Sequence, residues 1–232
     1  MEGSPCKPDH GTEGGDGFSR ISISLRPLDL SDIDAFMVWA TDKVVTRFCT
    51  WEPHTSKEEG MRFIMDKVIP HPWFRAICLD DTPIGAISVT ANSGNDRCRG
   101  ELGYVLGSKY WGKGIATKAV KMVAETIFKE WPHLERLEAL VDVENVGSQR
   151  VLEKIGFQRE GILRKYFLLK GRTRDMSGYW LCFGVILLGS MFMLGVATFR
   201  TWLEAFEDVE NVAIQRVLQR SWAFKGMRSC RM

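Results

Sequence analysis

The chain has no Cys-x-x-Cys pair. Its six cysteines (Cys6, Cys49, Cys78, Cys98, Cys182 and Cys230) are scattered. That pattern argues against a zinc site or a disulfide framework and fits a reducing, cytoplasmic compartment. An excess of one charge is also lacking. Lys and Arg number 31 against 29 Asp and Glu, a net +2, so no general affinity for nucleic acid is expected. The four histidines, His10, His54, His71 and His133, stand apart near prolines or polar loops, and no role is assigned to them. Residues 1–19 are rich in Gly, Pro and polar residues and have no apolar core. They read as a disordered lead-in and not as a secretory signal.

What is present is a soluble globular composition, 45% hydrophobic and 26% charged over 232 residues. That length suits one large domain, or one domain with appendages. Ile21, Ile23 and Leu25 alternate with serines as a first strand ending at Arg26-Pro27. Ser31, with Asp34 three residues on, predicts an N-capped helix through Phe36, Met37 and Ala40. Ser56-Lys57-Glu58-Glu59 opens another, through Met61, Ile64, Met65 and Val68 until Pro70. A hairpin follows: strand 74–79, turn Asp80-Asp81-Thr82-Pro83, strand 84–90.

Strand 101–106 leads into a glycine loop and a helix from Ile115 to about Lys129, whose apolar residues recur at helical spacing. Strand 137–141 and helix 146–154 come next, closed by Gly156. Strand-like 161–169 and a turn at Lys170-Gly171-Arg172 follow. The order predicts a mixed α/β fold.

Two features lie beyond Asp175. Residues 176–199 hold no charge. The run reads either as a final buried strand with a packed or loose remainder, or as a membrane span, since about 20 apolar residues cross a bilayer. Lys165, Lys170, Arg172 and Arg174 precede it on the side expected to be cytoplasmic. Residues 137–152 then recur at 203–218 with most positions identical. Two copies do not make a solenoid, so 200–232 reads as a duplicated strand-helix fragment with a tail.

The chemistry centres on Lys109-Tyr110-Trp111-Gly112-Lys113-Gly114-Ile115-Ala116. A strand, a glycine loop and a helix start aim backbone N–H groups and a dipole at one point, which suits a phosphate. Gly112 and Gly114 let the backbone approach a ligand closely. The Walker pattern is absent, as is the third glycine of a dinucleotide fingerprint. An ordinary strand-helix turn remains the bland alternative.

Together these residues, the strand Glu101-Leu102-Gly103-Tyr104-Val105-Leu106 before them, and Asn145-Val146-Gly147-Ser148 through Gly156-Phe157 resemble the GCN5-related N-acetyltransferase superfamily. The branch most similar contains ribosomal-protein alanine/serine and spermidine acetyltransferases. The resemblance covers residues 20–175. It implies a twisted sheet with a V-shaped split, and acetyl transfer from acetyl-CoA to an amine in a ternary complex, without a metal. The acceptor it implies is a protein N-terminus, a polyamine or another small amine.

The family loop Q/R-x-x-G-x-G/A places the CoA pyrophosphate on the N–H groups of Gly112, Lys113, Gly114, Ile115 and Ala116, with Lys109 at the first position. Tyr104, Val105 and Leu106 match the strand that holds pantetheine. An N–H of Val105 or Leu106 would be the oxyanion donor, worth about 3 kcal/mol. Asn145 matches a pantetheine contact.

Glu101 is the candidate base, although a solvated strand-end carboxylate would read the same. Many family members carry a tyrosine acid seven residues after the asparagine, where this chain has Leu152. Ser148 matches a serine beside the CoA sulfur, although a serine at the first turn of a helix is more often a cap. Tyr166 is a further candidate acid or acceptor contact. Two rivals follow from the departure after Asp175: a CoA-binding relative whose acceptor side lacks its last strand, and a membrane-tethered enzyme. The second repeat copy has Ile214 where Ser148 stands and no glycine loop ahead of it, so one cofactor site is expected.

Overall fold

The computed structural model describes residues 22–182. The lead-in, residues 183–199 and the second repeat copy lie outside the described residues. One seven-stranded sheet organises the rest, in the order β1-β2-β3-β4-β5-β7-β6. Its strands are β1 (Ile23–Arg26), β2 (Phe74–Leu79), β3 (Thr82–Ala91), β4 (Arg99–Leu106), β5 (Arg136–Asp142), β6 (Gln158–Leu169) and β7 (Arg172–Cys182). All neighbours are antiparallel except β4 and β5. The helices are α1 (Ile33–Ala40), α2 (Lys43–Thr46), α3 (Lys57–Phe63, continued by a π-helical turn Ile64–Val68), α4 (Ile115–Glu130) and α5 (Val146–Ile155).

The sheet carries a core on each face. On one, α4 buries Ile115, Ala119, Val120, Val123, Ala124, Ile127 and Phe128, at the spacing of a single helix face. They meet Ile77, Ile87, Val89, Leu102, Leu137 and Ala139. Each large aliphatic or aromatic side chain so buried contributes roughly 1.5–3 kcal/mol. On the other face Phe36, Trp39 and Ile64 cover Ala76, Cys78 and Ala86.

Local chemistry differs from expectation in three places. Ser31 is not the cap. Asp29 Oδ1 accepts from Ser31 N at 2.7 Å, and Asp32 completes a capping box, so a 3₁₀ turn precedes α1. Asp32 is drawn into that turn by a two-pronged ion pair with Arg26, 2.8 Å on each oxygen. The hairpin turn is only Asp80-Asp81, both with positive φ (48° and 62°), the geometry of a tight hairpin. Pro83 lies within β3 opposite Cys78, where the register shifts, and a bulge tolerates its missing N–H. Finally, α2 is a helix the periodicity did not predict, capped by Asp42, whose Oδ1 accepts from Val44 N at 2.8 Å.

The apolar run is not one uninterrupted membrane helix. Its first part, residues 176–182, belongs to β7, which inserts between β5 and β6. No helix among the described residues is long and apolar enough to cross a membrane. Because β7 continues past Asp175, the sheet has a last strand, and the premise of the CoA-binding rival is removed.

Candidate active site

The V-shaped split lies between β4 and β5. The two strands pair only from Arg99 to Glu101 with Arg136 to Glu138. Beyond that β4 runs on to Leu106 and β5 to Asp142. Tyr104 spans the widening gap, its hydroxyl donating to the Ser148 carbonyl at 3.2 Å. Burial holds that phenol up at about 12, so it stays a neutral donor. A cleft of about 610 Å³ opens here, lined by Tyr104 to Leu106, the glycine loop and the start of α5. That volume is typical of a small-molecule site.

The glycine loop has the geometry of an anion cradle. Gly112 and Gly114 both adopt φ +74°, and a Cβ at either would meet nothing within 4 Å. Conformation, not space, therefore selects glycine. No side chain caps α4. Its first helical hydrogen bond runs from Lys118 N to Gly114 O at 3.0 Å. The N–H groups of Ile115, Ala116 and Thr117 thus have no partner within the helix and face the dipole's positive end. Lys109 and Lys113 lie over the Tyr110 ring at 4.9 and 5.7 Å. Neither lines the cleft.

The backbone of β4 separates the two candidate oxyanion donors. Gly107 N donates to Ile84 O at 2.9 Å, towards β3. A Cβ on Gly85 would come within 2.3 Å of Val105 O. Val105 therefore turns its peptide groups to β3. By alternation Tyr104 and Leu106 turn theirs into the split. The Leu106 carbonyl accepts from Trp111 Nε1 at 2.7 Å, and its N–H is the better placed donor of the two.

Asn145 and Ser148 begin α5. Asn145 Oδ1 accepts from Ser148 N at 3.2 Å, the usual work of an N-cap. Both line the cleft. Leu152 does not; it is fully buried in the core. The position at which the resemblance implies a tyrosine acid therefore faces inward here.

Glu101 stands at the apex of the split, paired with Glu138 across it. It keeps contact with solvent. Crowding by protein, and then the Glu138 carboxylate, raise its pKa above the ordinary glutamate value. Tyr166 is 53% exposed on β6, beside a register irregularity, and is not among the lining residues. The structure brings Tyr104, Val105, Leu106, Gly112, Gly114, Ile115, Ala116, Asn145 and Ser148 to one cleft. Glu101, at the last paired position before the split opens, and Tyr166 are not among its lining residues.

Three lining residues lie in a stretch where the sequence pattern predicts no element. Val45, Phe48 and Cys49, from α2 and the residues after it, close one wall. The Asp42 cap was the available clue to that helix. Asp42 Oδ2 also accepts from Ser108 Oγ at 2.6 Å, fastening α2 to the base of the loop. Arg47 binds Glu144 at 3.1 Å, and Glu144 binds Arg174 at 2.7 Å. Lys170 at the β6–β7 turn donates to Thr46 O at 2.9 Å. Burial pushes the Cys49 thiol up to about 11, which keeps it protonated and unreactive. Arg150 and Lys154, one turn apart on α5, supply exposed cations at the rim.

This arrangement agrees with the sequence comparison. The chain matches the Acetyltransferase (GNAT) domain over residues 22–158. It belongs to the GNAT acetyltransferase family. Uncharacterized N-acetyltransferase p20 of Bacillus licheniformis is 32% identical over 160 residues, spanning 66% of this chain and 89% of that protein. Spermidine N(1)-acetyltransferase of Escherichia coli K12 is 28% identical over 159 residues, spanning 68% of this chain and 84% of that one. Among solved structures, a GNAT-family acetyltransferase from Bacillus anthracis superposes with TM-score 0.62 at 25% identity, covering 70% of this chain and 96% of the other. In this GNAT domain the split, the glycine loop and the α5 start are contributed by segments far apart in sequence.

Proposed function

We propose that the chain transfers an acetyl group from acetyl-CoA to the nitrogen of an amine, by direct attack in a ternary complex. The observation that carries this reading is the split itself. It opens beside the unpaired N–H groups of α4 and ends at Glu101. The pyrophosphate rests on the N–H groups of Gly112 to Ala116. The pantetheine arm follows β4 past Asn145, which points the thioester to the apex.

The amine nitrogen attacks the thioester carbonyl, and its proton passes to Glu101 directly or through a water. The Leu106 N–H holds the developing oxyanion. The C–S bond then breaks, and the thiolate, hydrogen-bonded by the Ser148 hydroxyl, takes a proton from solvent. The acceptor class at this level is an amine, with protein N-termini, polyamines and other small amines as candidates; one relative is named for spermidine.

Glu101→Gln tests the base. It is expected to lower kcat by about 10²–10⁴-fold, the usual worth of a general base, with CoA affinity unchanged. Only ionised Glu101 accepts the proton, and its pKa is raised. Activity should therefore fall as pH drops through a value above the ordinary glutamate range, and this acid limb should vanish in Glu101→Gln. An unchanged kcat in the variant removes Glu101 from the mechanism.

A further inference from the structure

The face of the sheet that Glu101 occupies continues past the split. Alternation puts Glu101 on the face opposite α4 and α5. Strand register carries that face outward. Glu101 pairs with Glu138, and Glu138 with Trp180. Leu140 follows two residues after Glu138. Asp142 pairs with Met176, and Met176 with Leu163. Leu140, Leu163, Met176 and Trp180 therefore share one floor with Glu101. The helices α1 and α3 cover the β2–β3 end of this face. Among the described residues no helix covers its β5–β7 part, and Leu163 remains 38% exposed.

The charges on this floor are unequal. Glu138 is bound by Arg99 at 3.0 Å and by Arg136 at 2.6 Å. Asp142 is bound by Arg174 at 2.6 Å. Glu160, at the edge, binds Arg136 at 2.5 Å. No cation pairs with Glu101 among the described residues. One free carboxylate thus stands at the head of an apolar floor whose other carboxylates are each paired with an arginine. An amine that reaches Glu101 lays the rest of its body on Leu140, Leu163, Met176 and Trp180. A second ammonium there would lose water without gaining a counter-charge, and would meet Arg136 and Arg174.

We infer that the acceptor is a monoamine carried on an apolar body, and not a polyamine. The inference rests on the reading of the chain as an N-acetyltransferase. It assigns acceptor selection to the β5–β7 floor, with Leu163 and Trp180 as specificity-determining residues.

The test measures acetyl transfer by the full chain to phenethylamine, ethanolamine and spermidine, with CoA binding followed separately by calorimetry. Phenethylamine is expected to exceed both others in kcat/KM by about tenfold or more, the scale of a few buried methylenes. Leu163→Asp adds a free carboxylate at an exposed position and spares the core. It should lower kcat/KM for phenethylamine about tenfold, raise that for spermidine, and leave CoA affinity unchanged. Spermidine or ethanolamine matching phenethylamine in the native chain overturns the inference, and the acetyltransferase reading stands. CoA binding with no amine acetylated overturns it too, leaving only cofactor binding. Failure to bind CoA overturns the acetyltransferase reading itself.

Discussion

Two helices begin at the same cleft, and they begin differently. The start of α5 is closed by its own side chain: Asn145 Oδ1 takes the Ser148 N–H. The start of α4 is opened by Gly114 at φ +74°, with no side-chain cap. Both helices have a dipole, but α4 leaves the N–H groups of Ile115, Ala116 and Thr117 open, whereas the Asn145 cap takes up the Ser148 N–H of α5. An uncapped helix start gives up about 0.5–2 kcal/mol of local stability. At α4 that deficit leaves donors for a phosphate to occupy. At α5 the stability is kept, and the helix serves as a wall and a rim of cations. On the proposed reading, the position of the anion follows from which cap is missing, more than from where the positive charges lie.

The comparison can be broken most directly at Gly114. Gly114→Val forces a β-branched residue into a left-handed conformation costing about 1–2 kcal/mol, so CoA affinity should fall about five- to thirtyfold. Equilibrium binding checks it, and native-like affinity would mean the cradle lies elsewhere. Asn145→Ala should act mainly on stability, by about 1 kcal/mol, read as a lower Tm. Its loss of CoA affinity should be smaller than that of Gly114→Val, and the reverse order would put the anion at α5. Smallest are Arg150→Ala and Lys154→Ala. Each removes one exposed charge worth about 0.3–1 kcal/mol at low salt. The effect on CoA affinity should fade in high salt, while that of Gly114→Val should persist.

Much of this site was legible because its determinants are local. The glycine spacing, the strand before it and the amphipathic period after it are read within one stretch of chain, and Gly156 with φ +99° ends α5 as its position predicts. What was illegible depends on long-range pairing. A resemblance offered Val105 and Leu106 equally as oxyanion donors, and only the β3 register, through Gly107 and Gly85, turns one of them away. Tyr166 looked available by residue type, but it stands exposed on the outermost strand and is not among the residues lining the cleft. Leu152 read as a missing acid, and it is a core residue at 0% exposure.

By itself the sequence determined the order of strands and helices apart from α2 and β7, the cap at Ser56, and a glycine loop before α4. These rest on periodicity and on backbone preferences of a few adjacent residues. Tertiary structure alone decided that β7 inserts between β5 and β6, that β4 and β5 part after Glu101, and that α2 walls the cleft. The physical reason is that strand partners and ion pairs such as Arg47–Glu144 and Arg174–Asp142 join segments far apart in the chain. Each partner alone is an ordinary polar or apolar residue, and its meaning arises only in the contact.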